Sequence, residues 1–125
     1  LECTQGPPDQ FGFIIVSRAA NSTNMIFSGV LCLSLPQGRY GPQAALNQGL
    51  PELNSLGQFD ASGVLQNIAG TSASGSGFDV PLALPDPAGL GADISGETWF
   101  FQAWYRDVDV VPTANFSTAI EALMP

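Results

Sequence analysis

The chain has 125 residues with eleven acids, three arginines and neither lysine nor histidine, a formal net charge of −8 at pH 7. That length holds one domain, residues 1–125, and 45% hydrophobic residues suffice to build a core. The charge excludes a cationic groove for nucleic acid and attraction to an anionic bilayer. The missing His and Lys exclude imidazole-activated nucleophiles, Schiff-base chemistry and the usual zinc ligand sets.

Taken in order, Gly6-Pro-Pro-Asp9 ends a first predicted strand around Cys3. Residues 11–17 form a strand with Phe11, Phe13 and Ile15 on one face and Gly12, Ile14 and Val16 on the other, both faces covered. Asn21-Ser-Thr-Asn24 reads as a turn, residues 29–33 as the centre of the next strand, and residues 36–42 as its break. One helical turn is expected over residues 43–47, stopped by Gly49 and Pro51. Residues 58–60 and 64–68 are short strands, and residues 70–77 an exposed, low-complexity loop.

Residues 78–84 alternate Phe78, Val80, Leu82 and Leu84, with Pro81 placing that strand at an edge, and residues 85–91 form a rigid loop. Residues 97–107 are the densest aromatic run. As a strand they put Trp99, Phe101, Ala103 and Tyr105 on one face and Phe100, Gln102 and Trp104 on the other, a central core donor. Residues 114–124 fit a short helix or a strand by periodicity alone. The fold class expected is all-β: an antiparallel β-sandwich, Ig-like or jelly-roll-like.

Cys3 and Cys32 lack the CxxC spacing of a redox or metal site. They are expected to form the one disulfide of a secreted protein, with two reduced, buried thiols as the alternative. Leu1-Glu-Cys3 carries no basic or apolar leader and reads as the start of a mature or excised chain. No apolar run approaches the roughly 18 residues of a membrane-spanning helix.

The string Gly96-Glu-Thr-Trp-Phe-Phe-Gln-Ala-Trp-Tyr-Arg-Asp107, followed by Asn115-Phe-Ser117, resembles the signature of an uncharacterised domain family in secreted proteins of environmental bacteria with Gram-negative-type envelopes. Gly6-Pro-Pro-Asp-Gln-Phe-Gly12, Leu31-Cys-Leu33 and Gly38-Arg-Tyr40 follow the same pattern in order, so the resemblance spans residues 11–124. It implies that the last segment is a closing strand, and it implies no known activity. Domains of this kind usually carry further strands before the one holding Cys3, so the resemblance implies a sandwich lacking one edge strand. Another subunit would supply it, leaving until then a row of unpaired main-chain groups over bare core.

The remaining chemistry is sparse. Asp107 and Asp109, with Glu97 at the far end of the aromatic strand, are a weak Ca²⁺ candidate; a solvated acidic turn is the favoured reading, and a paired-carboxylate glycosidase site has no distinguishing signal. Arg18, Arg39 and Arg106 are expected to pair with nearby acids or stack on tyrosines, a carboxylate-gripping role being the sharper alternative. Asn21 and Asn115 match the Asn-x-Ser/Thr glycosylation pattern, and Ser/Thr residues among 71–76 are candidates for O-modification.

Phe100 and Trp104 would stack on sugar rings if their face meets solvent, although core packing accounts for both. No catalytic residue set and no cofactor are expected. The sequence reading is a non-enzymatic, extracellular or cell-surface subunit that polymerises with copies of itself into a fibre by strand addition. The alternative is an adhesin-like or carbohydrate-binding module.

Overall fold

The computed structural model describes residues 1–87, 94–108 and 112–125. The fold is all-β and sandwich-like, built around one seven-stranded antiparallel sheet and a separate two-stranded hairpin. The aromatic run forms β7 (Thr98–Val108), the longest strand, and it sits centrally as its two apolar faces require. On one side it pairs with β1 (Phe11–Ser17), through Gly12↔Tyr105 to Ser17↔Phe100. On the other it pairs end to end with β8 (Pro112–Phe116) and β9 (Ile120–Leu123). Beyond β1 lie β4 (Gln37–Tyr40) and β5 (Gly57–Phe59), and β6 (Leu65–Asn67) closes that side. The hairpin joins β2 (Ala20–Ile26) to β3 (Gly29–Leu33).

Strand parity divides the molecule in two. Ile14 and Val16 of β1, Tyr40 of β4, Phe59 of β5, Leu65 of β6 and Trp99, Phe101 and Ala103 of β7 point to one face, here the inner face, and form the main buried cluster. Covering it are residues 1–6, helix α1 (Pro42–Gln48), a 3-10 turn (Pro51–Leu53) and the loops that bury Phe78, Leu84 and Ile94. The opposite, outer face carries a smaller cluster of Ile15, Leu31 and Leu33 beneath the hairpin, with Phe100 and Phe116 half-buried beside it.

Two buried polar side chains join these layers. Ser55, fully buried, accepts from the Ile14 N–H at 2.8 Å and donates to the Tyr40 carbonyl at 2.6 Å, filling the break between β4 and β5 along β1. Gln102, 2% exposed, accepts from the Cys32 N–H and donates to the carbonyls of Val30 and Ser117. It therefore fastens the hairpin and the β8–β9 turn to the central strand. Close approach also demands Gly29, where a Cβ would collide with Asn115 and Phe116 of β8.

Several expectations are corrected. Residues 21–24 lie in β2, and the turn falls at Phe27–Ser28 with Phe27 at φ 54. Residues 37–40 are a strand, because the Val16 and Ser17 end of β1 needs a ladder partner beyond β5. Residues 78–84 form no regular strand: Phe78 exchanges main-chain hydrogen bonds with Leu1, and Leu82 is exposed. The segment around Cys3 is extended but holds only isolated hydrogen bonds. Residues 114–124 are indeed strand, split into β8 and β9. The loop expected at 85–91 lies partly outside the described residues. Among the described residues, no helix is long and apolar enough to cross a membrane.

Gln102→Leu keeps the volume but strips partners from three main-chain groups. It should cost about 2–4 kcal/mol, read as a lower urea midpoint at unchanged slope. Tyr40 offers the opposite case, since its hydroxyl is buried with no hydrogen-bond partner among the described residues. Burial pushes the Tyr40 phenol far above its ordinary value of 10.0. A raised folded-state value leaves stability intact below the unfolded-state value and erodes it above, as the unfolded chain ionises first. Stability should therefore fall as pH rises past about 10. Tyr40→Phe should be neutral or stabilising at pH 7 and should flatten that alkaline fall in denaturant titrations.

Candidate functional site

Residues 1–4 run across the inner face as extended chain, and the chain bends at Gln5, whose φ is 63. Leu1 bonds through both its N–H and C=O to Phe78, the Cys3 carbonyl accepts from Leu65, and Gly6 donates to Gly63. Gly6 is required there because a Cβ would enter the Phe59 ring. In an extended segment alternate residues turn their main-chain groups to opposite sides. The N–H and C=O groups of Glu2 and Thr4 accordingly have no partner among the described residues.

They border a groove of about 380 Å³, walled on its far side by Ser117, Thr118 and Ile120 and floored by Ile14, Phe101, Ala103 and Tyr105. The floor is not bare core: Ile14, Phe101 and Ala103 are 4%, 1% and 3% exposed. What the groove offers a visitor is main-chain hydrogen bonding rather than a large apolar hole.

The outer face splits the two proposed stacking residues. Phe100 is packed at the hairpin end, against the Ile15–Leu31–Leu33 cluster. Trp104 lies past the hairpin's cover, half-buried, directly opposite Phe13 in the β1–β7 ladder, their rings stacked at 4.9 Å between centroids. Phe11, on the same face, is 40% exposed. Phe13 was assigned to the right face by parity, but only the third dimension shows it half-buried between Trp104 and the margin of the hairpin cluster.

The expected Cys3–Cys32 disulfide is absent, and both cysteines are free thiols. Cys3 is buried in the inner-face cluster, whereas Cys32 belongs to the hairpin laid over the outer face. The central sheet stands between them, a separation that sequence spacing does not reveal. Burial pushes the Cys3 thiol above its ordinary value of 9.0, which suppresses thiolate formation.

Of the three arginines, Arg18 pairs with Glu97 at 2.7 Å and lies over the Trp99 ring. Both partners are well exposed, so the pair adds less than about 1 kcal/mol. Arg39 and Arg106 are exposed and make no ion pair among the described residues. Asp107 accepts from the Asn115 amide at 3.3 Å, and Asp109, the other half of the calcium candidate, lies outside the described residues. No group of three or more metal-ligating side chains occurs among the described residues.

Of the two glycosylation candidates, Asn115 is half-buried, its oxygen accepting from the Phe116 N–H and its Nδ2, the atom a glycan would join, donating to Asp107. Asn21 lies within β2 rather than in a turn. Thr71 and Ser72, in the loop proposed for O-modification, donate to the Asn54 and Ser76 carbonyls.

The chain matches no family model, and neither a curated protein nor a solved structure is similar to it. Its function is therefore argued from the geometry of its own surfaces.

Thiol reactivity tests the cysteine assignment. A maleimide should label native protein first at Cys32 and reach Cys3 only on unfolding. Non-reducing mass spectrometry should give the dithiol mass.

Proposed function

We propose that this chain is a non-enzymatic structural subunit of an extracellular or cell-surface fibre, polymerising by strand addition between copies. The observation that carries the reading is the unpaired main-chain edge at Glu2 and Thr4 beside its groove. An extended segment laid there gains hydrogen bonds on one side from that edge and extends the layer over the inner face.

The occupant is a second copy, through β2. Among the described residues that strand pairs only with β3, which leaves its other edge open there. Natural edge strands are usually blunted by charge or proline, and β2 contains neither. No Asp, Glu, Lys or Arg occurs between Arg18 and Arg39, which matters when each copy carries −8. The outward pair Met25 and Val30 and the turn residue Phe27, 70%, 38% and 72% exposed, add apolar area to the contact. Donor strand and acceptor groove are different surfaces, so the contact is heterologous and grows an open filament. The secreted setting is supported by the resemblance of the residue 96–107 string to domains of secreted bacterial proteins, and no longer by a disulfide.

Negative-stain microscopy and sedimentation at neutral pH test it. Wild-type protein should form filaments, more readily at about 0.5 M salt than at low ionic strength because screening relieves the mutual repulsion. Thr4→Pro removes an N–H that no group among the described residues uses, and Asn24→Lys charges the β2 edge. Each should abolish filaments while leaving the melting temperature unchanged. Monodisperse monomers of the wild type under both salt conditions would refute the proposal.

A further inference from the structure

The part of the outer face at the hairpin's margin, where Phe13 packs on the Ile15–Leu31–Leu33 cluster and is half-buried, joins three features that the assembly reading does not use. Phe13 and Trp104 present a stacked aromatic pair there. Strand parity sets Arg106, two residues beyond Trp104 on β7, on the same face, where it opposes Ala114 of β8. It likewise sets Arg39 of β4 on that face, opposite Ile15 of β1. The order across the sheet is Arg39, Phe13, Trp104, with Arg106 next along the last strand.

Neighbouring strands lie about 4.8 Å apart and same-face residues about 6.8 Å apart along one strand, so these groups fall within a few sugar lengths of one another. Phe13 and Arg39 also line an open cleft of about 960 Å³, walled by Pro36, Pro42 and Pro87. One wall is held by Gln48 of α1, which donates to the Leu84 carbonyl and accepts from the Asp86 N–H.

The charge pattern selects the ligand. In a chain with eleven acids and three arginines, both arginines without an ion pair among the described residues flank this aromatic pair. Acids stay at its margins: Asp86 lines the cleft from its loop, Glu121 sits opposite Phe100 at the covered end, and Asp107 takes the other face. Aromatic rings flanked by guanidinium groups suit a pyranose that carries a carboxylate: the ring's C–H face stacks and the acid pairs bidentately. A neutral glucan would leave both arginines unused, and a simple anion would leave the rings unused.

We propose that the Phe13–Trp104 face, with Arg39 and Arg106, is a binding site for uronic-acid-containing polysaccharide. The site does not depend on filament formation, since β2 and the groove beside Glu2 lie elsewhere.

Affinity electrophoresis and calorimetry with polygalacturonate at low salt test it, with dextran as the neutral control and polyphosphate as the non-sugar anion. The wild type should bind polygalacturonate and neither control. Trp104→Ala should weaken binding about tenfold or more through lost stacking. Arg106→Gln and Arg39→Gln should each weaken it about threefold to tenfold and reduce its salt dependence. Ile68→Ala, an exposed side chain just beyond β6, should bind like wild type, and Asn24→Lys provides a non-polymerising background for the whole series. If Trp104→Ala does not fold, as judged by near-ultraviolet circular dichroism, the arginine variants decide. Failure of the wild type to bind polygalacturonate would overturn the proposal. So would equal binding of dextran or polyphosphate, or arginine variants that bind as tightly as wild type.

Discussion

The layering of this protein depends on one buried side chain. Gln102 sits in the middle of the central strand, on the face where its apolar neighbours would suggest another hydrophobe, and uses its amide on three main-chain groups. Two of those belong to β3 and one to the β8–β9 turn. An amide buried at 2% exposure is tolerable only if satisfied, and satisfying it fixes where the hairpin lies and how far it reaches. Because β3 is pinned opposite Gln102, the hairpin covers Phe100 on one side of it and on the other reaches Phe13 and Phe116, the neighbours of Trp104, leaving Trp104 half-buried at its margin. The boundary between core and candidate binding surface is thus set by hydrogen bonding.

Strand parity then separates the two surfaces. Even-numbered residues of β1 and odd-numbered residues of β7 build the inner core, over which residues 1–6 lay an incomplete second layer with a free edge. The alternate residues face outward. They need no deep burial beyond the hairpin, which leaves aromatic and cationic side chains together at the surface. One strand supplies both the floor of the groove, through Phe101, Ala103 and Tyr105, and half of the stacked pair, through Trp104.

Much of this was legible in the sequence, for a physical reason. Where a strand is buried on both faces, alternation and composition agree, and the faces of β1 and β7 were assigned residue by residue. Helix α1 was legible from Pro42 onwards because Gly49, in the left-handed region at φ 66, is a strong stop. Where local chemistry and tertiary demand diverge, the sequence misled. Asn21-Ser-Thr-Asn24 has turn composition, yet the apolar residues Leu31 and Leu33 must face Ile15, and the register that achieves this carries the strand through to Ile26. Residues 78–84 do alternate, and Phe78 and Leu84 are buried, but Leu1 takes the hydrogen bonds of Phe78, a pairing between residues far apart in the chain. The cysteines failed for a related reason, because nothing in their spacing says which side of a sheet each thiol occupies. Phe13 was visible as an outward residue, but its stacking on Trp104 depended on the ladder register.

The two proposals act on different surfaces, and their combination has a consequence. A face bearing one aromatic pair and two exposed arginines binds a single uronate stretch weakly, since exposed ion pairs are screened and the stacking area is small. Subunits joined as proposed, through β2 and the groove, would repeat that face along the filament at a fixed spacing. A long acidic polysaccharide meeting such an array binds the second and later sites intramolecularly, so avidity rises by orders of magnitude without any new contact. The negative charge of the chain then acts as a filter: away from the Arg39–Arg106 face it repels an acidic polymer, confining adhesion to the one surface where cations and rings coincide.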